Sequence, residues 1–168
     1  GTLSHEETHL INADVTNRVG GGWGFYFSDD VTYHAATLAT GFPRREITSM
    51  IDVEPDSHYV RTYFTGWQGE RGWPNMLDEP TAYVNEMCAM GVVGEHHPGL
   101  GVSSRDGSVA FLYYLELYLR RARTSYPDFY RAIQTDPVSR EVVARLWLRT
   151  QLCLPISDRF PILGIDDR

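Results

Sequence analysis

Lysine is absent from all 168 residues: every one of the 15 basic side chains is arginine, set against 22 acidic ones for a net charge of −7. Arginine-rich coding accounts for this, as would avoidance of lysine modification, so the absence does not decide function. The acidic balance opposes a phosphate backbone and sets nucleic acid aside as a partner. No apolar run approaches the roughly 20 residues that cross a bilayer, so no membrane span is expected. Cysteine is scarce. Cys88 and Cys153 both lie in apolar surroundings and neither has C-x-x-C spacing, which leaves no thiolate metal motif. They read as small buried residues that could pair in an exported protein. The redox compartment stays open, with an extracytoplasmic or secreted setting favoured. No internal repeat, low-complexity segment or signal-peptide pattern is visible. What is present is globular: 42% hydrophobic and 12% aromatic residues, enough for one domain with its own core over residues 1–168.

Residues 5 to 9 read His5-Glu6-Glu7-Thr8-His9, an H-E-x-x-H pattern. Residues four apart share a helix face, so His5 and His9 can aim two imidazoles at one ion about 2 Å away. Glu6 is turned by roughly 100° from His5. It is badly placed to ligate the same ion but can take a proton from a water there. Zinc in a hydrolytic site takes three protein ligands and an open position, so a third ligand is expected downstream. The extended pattern with Gly at 12 and His at 15 fails, because Asn12 and Val15 stand there.

Residues 78 to 83 read Asp78-Glu79-Pro80-Thr81-Ala82-Tyr83 and contain Glu79-x-x-Ala82. With both motifs in place the chain resembles the gluzincin group of zinc metallopeptidases, over two helices and not over the whole chain. The resemblance implies Zn2+ bound by His5, His9 and Glu79, with Glu6 as general base and a peptide or protein as substrate. It implies also a Tyr or His steadying the tetrahedral oxyanion. That residue has no fixed spacing; Tyr83, one turn from Glu79, and His97, on the Glu95-His96-His97-Pro98 segment, are the candidates, and Tyr63 is a further one. Glu86 rivals Glu79 as third ligand. The group often carries an acidic residue four positions after the third ligand. Tyr83 stands there, which leaves the partners behind the ligands undefined.

The fold expected is α+β and predominantly helical, a zincin-like helical core with a small β-hairpin. The first helix covers 3–17, with Leu10, Ile11 and Val15 facing inward beside the histidines, and the Gly20–Gly22 run ends it. Trp23 to Phe27 and Val31 to Leu38 form a hairpin around Ser28-Asp29-Asp30; it is either a purely structural hairpin or an edge along which an extended peptide pairs. A short helix follows Pro43 as far as Met50, then a polar loop over 52–57 and a helix from His58 to Trp67. A loop over 68–75 leads to a helix that starts at Asp78 or Glu79, with Pro80 in its first turn and Glu79 favoured there by the helix dipole. A long loop over 91–107 precedes three helices, at 109–123, 126–133 and 137–152, the last burying Val142, Val143, Leu146 and Trp147. An irregular tail follows from Pro155.

Two other functions compete. A ferritin-like di-iron protein would also use Glu6-x-x-His9, but needs a second E-x-x-H that the chain lacks. A non-catalytic metal-binding or interaction domain would carry the motif without hydrolysis. Because the motif lies at residue 5, with no sheet before it and no initiator Met, a missing N-terminal segment of the same polypeptide is expected as a further partner.

Overall fold

Three glycines with positive φ (Gly20 +87°, Gly21 +122°, Gly22 +94°) turn the chain out of its first helix, in a region that only glycine enters without strain. The structure is a computed structural model describing residues 2–52, 57–96 and 103–164. The first helix, α1, is Thr2–Arg18. It leads into an antiparallel hairpin of β1 (Trp23–Ser28) and β2 (Val31–Ala35). A 3-10 segment, Arg44–Met50, precedes α2 (His58–Tyr63), α3 (Gly66–Gly69) and the long α4 (Trp73–Val93). The 3-10 turn Gly94–His96, then α5 (Ser104–Ser125), α6 (Pro127–Thr135), α7 (Pro137–Ser157) and the 3-10 turn Pro161–Leu163 complete it. The protein is thus predominantly α-helical with one small two-stranded sheet.

Helix α4 is the centre. It packs against α1, β1, α5 and α7, and its Met76, Leu77, Val84 and Met87 are buried. Phe111, Leu115 and Tyr118 from α5 and Val142 and Leu146 from α7 join them in one hydrophobic cluster. A disulfide between Cys88 and Cys153 ties α4 to α7. The two cysteines, expected as small buried residues, are half-buried and bonded to each other.

Several boundaries differ from the sequence expectation. The loop expected over 68–75 is confined to 70–72: α3 takes its start and α4 begins at Trp73, with Pro74 rather than Pro80 in its first turn. Pro74 satisfies the same N-terminal preference six residues earlier. Pro80 therefore sits inside the helix, where it has no N–H to offer the carbonyl one turn back. Glu79 consequently lies in the second turn, outside the reach of the N-terminal dipole. The helix expected over 58–67 is split after Tyr63 by Gly66, at φ +54°. Strand β2 ends at Ala35, not Leu38, because its partner β1 starts at Trp23, which pairs with Ala35. Helix α4 runs on to Val93 and α5 starts at Ser104, which shortens the expected loop over 91–107; residues 97–102 lie outside the described residues. Likewise α7 passes through Pro155 to Ser157.

The largest surprise is the face α1 buries. Leu10, expected inside, is 70% exposed. The buried positions are His5, Thr8 and Asn12, spaced i, i+3, i+7 along one stripe. A helix that turns its polar residues inward and an apolar one outward needs polar partners for them, and α4 and β1 supply these.

Candidate metal centre

His5 and His9 stand one turn apart on the buried side of α1, with Nε2 atoms 3.2 Å apart. Glu79, on α4, brings Oε2 to 3.8 Å from Nε2 of His5 and 3.6 Å from Nε2 of His9. The three ligand atoms lie within 4.8 Å of one another, a spacing at which one ion can touch all three. Each imidazole turns its other nitrogen to a different carboxylate. Nδ1 of His9 donates to Oδ2 of Asp78 at 2.9 Å. Nδ1 of His5 is 3.8 Å from Oε2 of Glu86. Glu86, the rival third ligand, therefore faces the ring nitrogen opposite the one shared with Glu79.

The charges follow from this packing. Burial pulls His9 down, but its bonds to Asp78 and Glu79 outweigh that and hold the imidazole up at about 10. Burial pushes Glu79 up, yet contacts from His5 and His9, and the charges of His9 and Arg44, bring its carboxyl down to about 2. Burial raises Glu86 above the usual carboxylate range, and the nearby charge of Glu6 adds to this. Arg44 is 0% exposed. Its Nε donates to the Gln68 carbonyl at 2.9 Å and its Nη2 to Gln68 Oε1 at 2.5 Å, and its guanidinium stands 5.3 Å over the Tyr63 ring. It is a fixed cation whose charge helps hold Glu79 ionised without pairing with it directly.

The tyrosines close the site on one side. The Tyr83 ring meets the His5 ring edge-on at a centroid distance of 4.4 Å and stacks on Phe111. Its hydroxyl is 2.9 Å from that of Tyr63. Tyr83 is buried and Tyr63 only half-buried. Burial, with the charges of Glu79 and Glu6, lifts the Tyr63 phenol to about 12, so it stays protonated at neutral pH. Glu6 is exposed on α1, near enough for its charge to act on both Tyr63 and Glu86.

The structure thus brings His5, His9, Glu79 and Tyr83 together, while Glu6, next to His5 on α1, has an exposed side chain. His97 lies outside the described residues, and His96 is exposed in the 3-10 turn after α4. Sequence reasoning gave Asp78 only a helix-start role and treated Asn12 only as a missing glycine. Arg44 carried no signal at all. The signal for Asn12 was its place seven residues after His5, in line with Thr8.

The hairpin does not offer its inner edge to a peptide. Thr16 Oγ1 accepts from the Gly24 N–H at 2.9 Å and Asn12 Oδ1 from the Tyr26 N–H at 2.7 Å. Asn85 Nδ2 donates to the Tyr26 carbonyl at 2.8 Å. The edge of β1 toward α1 is thereby filled by side chains of α1 and α4.

Comparison of the chain with protein-family models, curated proteins and solved structures finds no match. Among the described residues no helix is long and apolar enough to cross a membrane.

Proposed function

We propose that the chain is a zinc-dependent peptidase of gluzincin type, acting on peptide or protein substrates. The observation that carries this reading is the convergence of His5, His9 and Glu79, with the second nitrogen of His9 held by Asp78 at 2.9 Å; that of His5 makes no hydrogen bond among the described residues, Glu86 standing 3.8 Å away. Two imidazoles and one carboxylate match the donor set of hydrolytic zinc sites, and carboxylate-backed histidines are the usual second layer. When bound, zinc would supply Lewis acidity and bring the pKa of a water toward about 7.

The chain's own groups then have separate tasks. Glu6, exposed beside the ligands, accepts the proton of the attacking water and hands it to the leaving amine. Tyr83 is deeply buried and hard to ionise, and in the hydroxyl pair it forms with Tyr63 it is assigned the donor's part. This leaves the Tyr63 O–H free to donate to the oxyanion that develops on the substrate carbonyl. The oxyanion donor is thus assigned to Tyr63, held in place by Tyr83, with His97 as the alternative donor. The Cys88–Cys153 disulfide supports an extracytoplasmic or secreted setting, where such bonds persist.

The test is elemental analysis of protein purified without chelators, joined to a peptidase assay of Glu6→Gln. One zinc per chain is expected, and the variant should keep it while losing about 10²- to 10⁴-fold in rate. No zinc retained or taken up would sink the metal reading. Zinc bound without hydrolysis in the parent chain would leave a non-catalytic metal-binding domain.

A further inference from the structure

Asn12 touches no metal-ligand atom, yet it is joined to one through a single intermediate. Its Nδ2 donates to Oδ1 of Asp78 at 2.7 Å, and Oδ2 of the same carboxylate accepts from Nδ1 of His9 at 2.9 Å. Its Oδ1 accepts from the Tyr26 N–H at 2.7 Å. The orientation of the amide is fixed by these partners: a backbone N–H can only be met by the oxygen, which leaves the nitrogen to face the Asp78 carboxylate. Asn12 is 4% exposed, so water does not compete for either contact. The Tyr26 carbonyl is held in turn by Asn85 of α4 at 2.8 Å. One β1 residue is therefore gripped from both helices that carry the ligands.

We infer that Asn12 is a positioning residue for the metal centre, locking the Asp78 carboxylate against His9 and thereby making the β-hairpin part of the scaffold that aims the His9 ring. This rests on the zinc reading of His5, His9 and Glu79. The physical argument is geometric. A histidine ligates well only when its other nitrogen is held, which fixes both the tautomer and the ring rotation. Asp78 supplies that hold, but a carboxylate with one free oxygen can rotate about its own bonds. Asn12 occupies the second oxygen and is itself anchored to the β1 backbone at Tyr26, which pairs with Thr32 of β2 just before the register shifts. The hairpin then has a task that does not involve substrate pairing.

Thr16 provides the matched control. It lies one turn further along α1 and accepts the Gly24 N–H of the same strand at 2.9 Å, without contact to Asp78. Asn12→Leu and Thr16→Val each remove one tether between α1 and β1, and only the first releases the Asp78 carboxylate. The measurements are zinc affinity by competition with a chromophoric chelator at fixed pH, and the visible spectrum of the Co2+-loaded chain. Asn12→Leu should weaken zinc by about 10- to 100-fold and alter the cobalt bands, while Thr16→Val leaves both close to the parent. Equal losses in the two variants would reduce Asn12 to a strand anchor and overturn the inference, as would an unchanged Asn12→Leu.

Should Asn12→Leu fail to fold, an exchange of the pair decides the matter. Asp78→Asn alone places an amide nitrogen against that of Asn12 and should weaken zinc. Adding Asn12→Asp restores a complementary pair with the parent's net charge, still accepting from the Tyr26 N–H, and should recover affinity and cobalt spectrum. An exchanged pair no better than Asp78→Asn alone would refute the positioning role. A parent chain that takes up neither zinc nor cobalt would overturn the proposed function itself, an outcome distinct from all of these.

Discussion

Tyr63 and Tyr83 meet hydroxyl to hydroxyl at 2.9 Å, and only Tyr83 packs against a histidine of the metal cluster. Burial raises the Tyr83 phenol far above its ordinary value, so it stays protonated at neutral pH. On the proposed assignment Tyr83 is wall and Tyr63 carries the O–H offered to substrate.

Tyr63→Phe should therefore keep zinc and lose about 10²-fold in kcat, with KM little changed. Its affinity for a phosphonamidate peptide, a tetrahedral mimic, should fall in parallel. Tyr83→Phe should lose less, since the ring that supports His5 remains. Steady-state kinetics with calorimetry on both variants separates the roles; a larger loss for Tyr83→Phe would reverse the assignment.

Glu79→Ala should abolish stoichiometric zinc binding, because it removes the one carboxylate among the described residues that both Nε2 atoms face. Glu86→Gln should retain the metal with at most about 10- to 100-fold weaker affinity, since Glu86 meets only Nδ1 of His5. Equilibrium dialysis against buffered zinc distinguishes the two. If Glu86→Gln loses the ion and Glu79→Ala holds it, the third ligand has been misassigned.

Zinc affinity should rise with pH across the neutral range. His9 is pulled down by burial but held up at about 10 by Asp78 and Glu79, so in the metal-free chain it carries a proton at pH 7 that the metal must displace. Each pH unit below about 10 then weakens binding roughly tenfold. Calorimetry in buffers of different ionisation enthalpy should count the proton released from His9. For stability without metal the signs differ. The raised His9 contributes fully below about 6.5 and loses its contribution as pH climbs through about 10. The depressed Glu79 contributes above 4.5 and loses its share as pH falls toward about 2. Metal-free protein should thus resist denaturant best in mildly acidic buffer, a trend that urea titrations across pH would reveal.

Reducing the Cys88–Cys153 bond, which spans 65 residues, should lower stability by about 4 kcal/mol on the chain-entropy account. Urea melts with and without reductant measure this directly. The predicted loss is global, since α4 carries the core as well as Glu79.

Much of the architecture was legible because periodicity reports burial. The pair Val142 and Leu146 in α7 is buried as its spacing predicts. Trp147 is 42% exposed, because a wide apolar stripe does not say where the core ends. The start of α4 was misread for a definite reason: two prolines satisfy the same first-turn preference, and the sequence does not rank them. The inward face of α1 was misread because apolar residues were assumed to mark it, whereas a buried polar network reverses that rule. Asp78 and Asn12 were illegible as supports for His9, since their pairing spans 66 residues and has no local spacing to betray it.

The bond between Cys88 and Cys153 also decides what a break in the chain can do. Any single backbone cut between the two cysteines leaves both pieces covalently joined, with α1 and Glu79 on the first and the end of α7 on the second. A protease that nicks α5, α6 or the turns beside them would change nothing on a non-reducing gel. Only under reducing conditions would two bands separate. Held together in this way, nicked molecules keep their broken ends at high effective concentration, so the polar cluster between α1 and α4 can outlast an intact polypeptide.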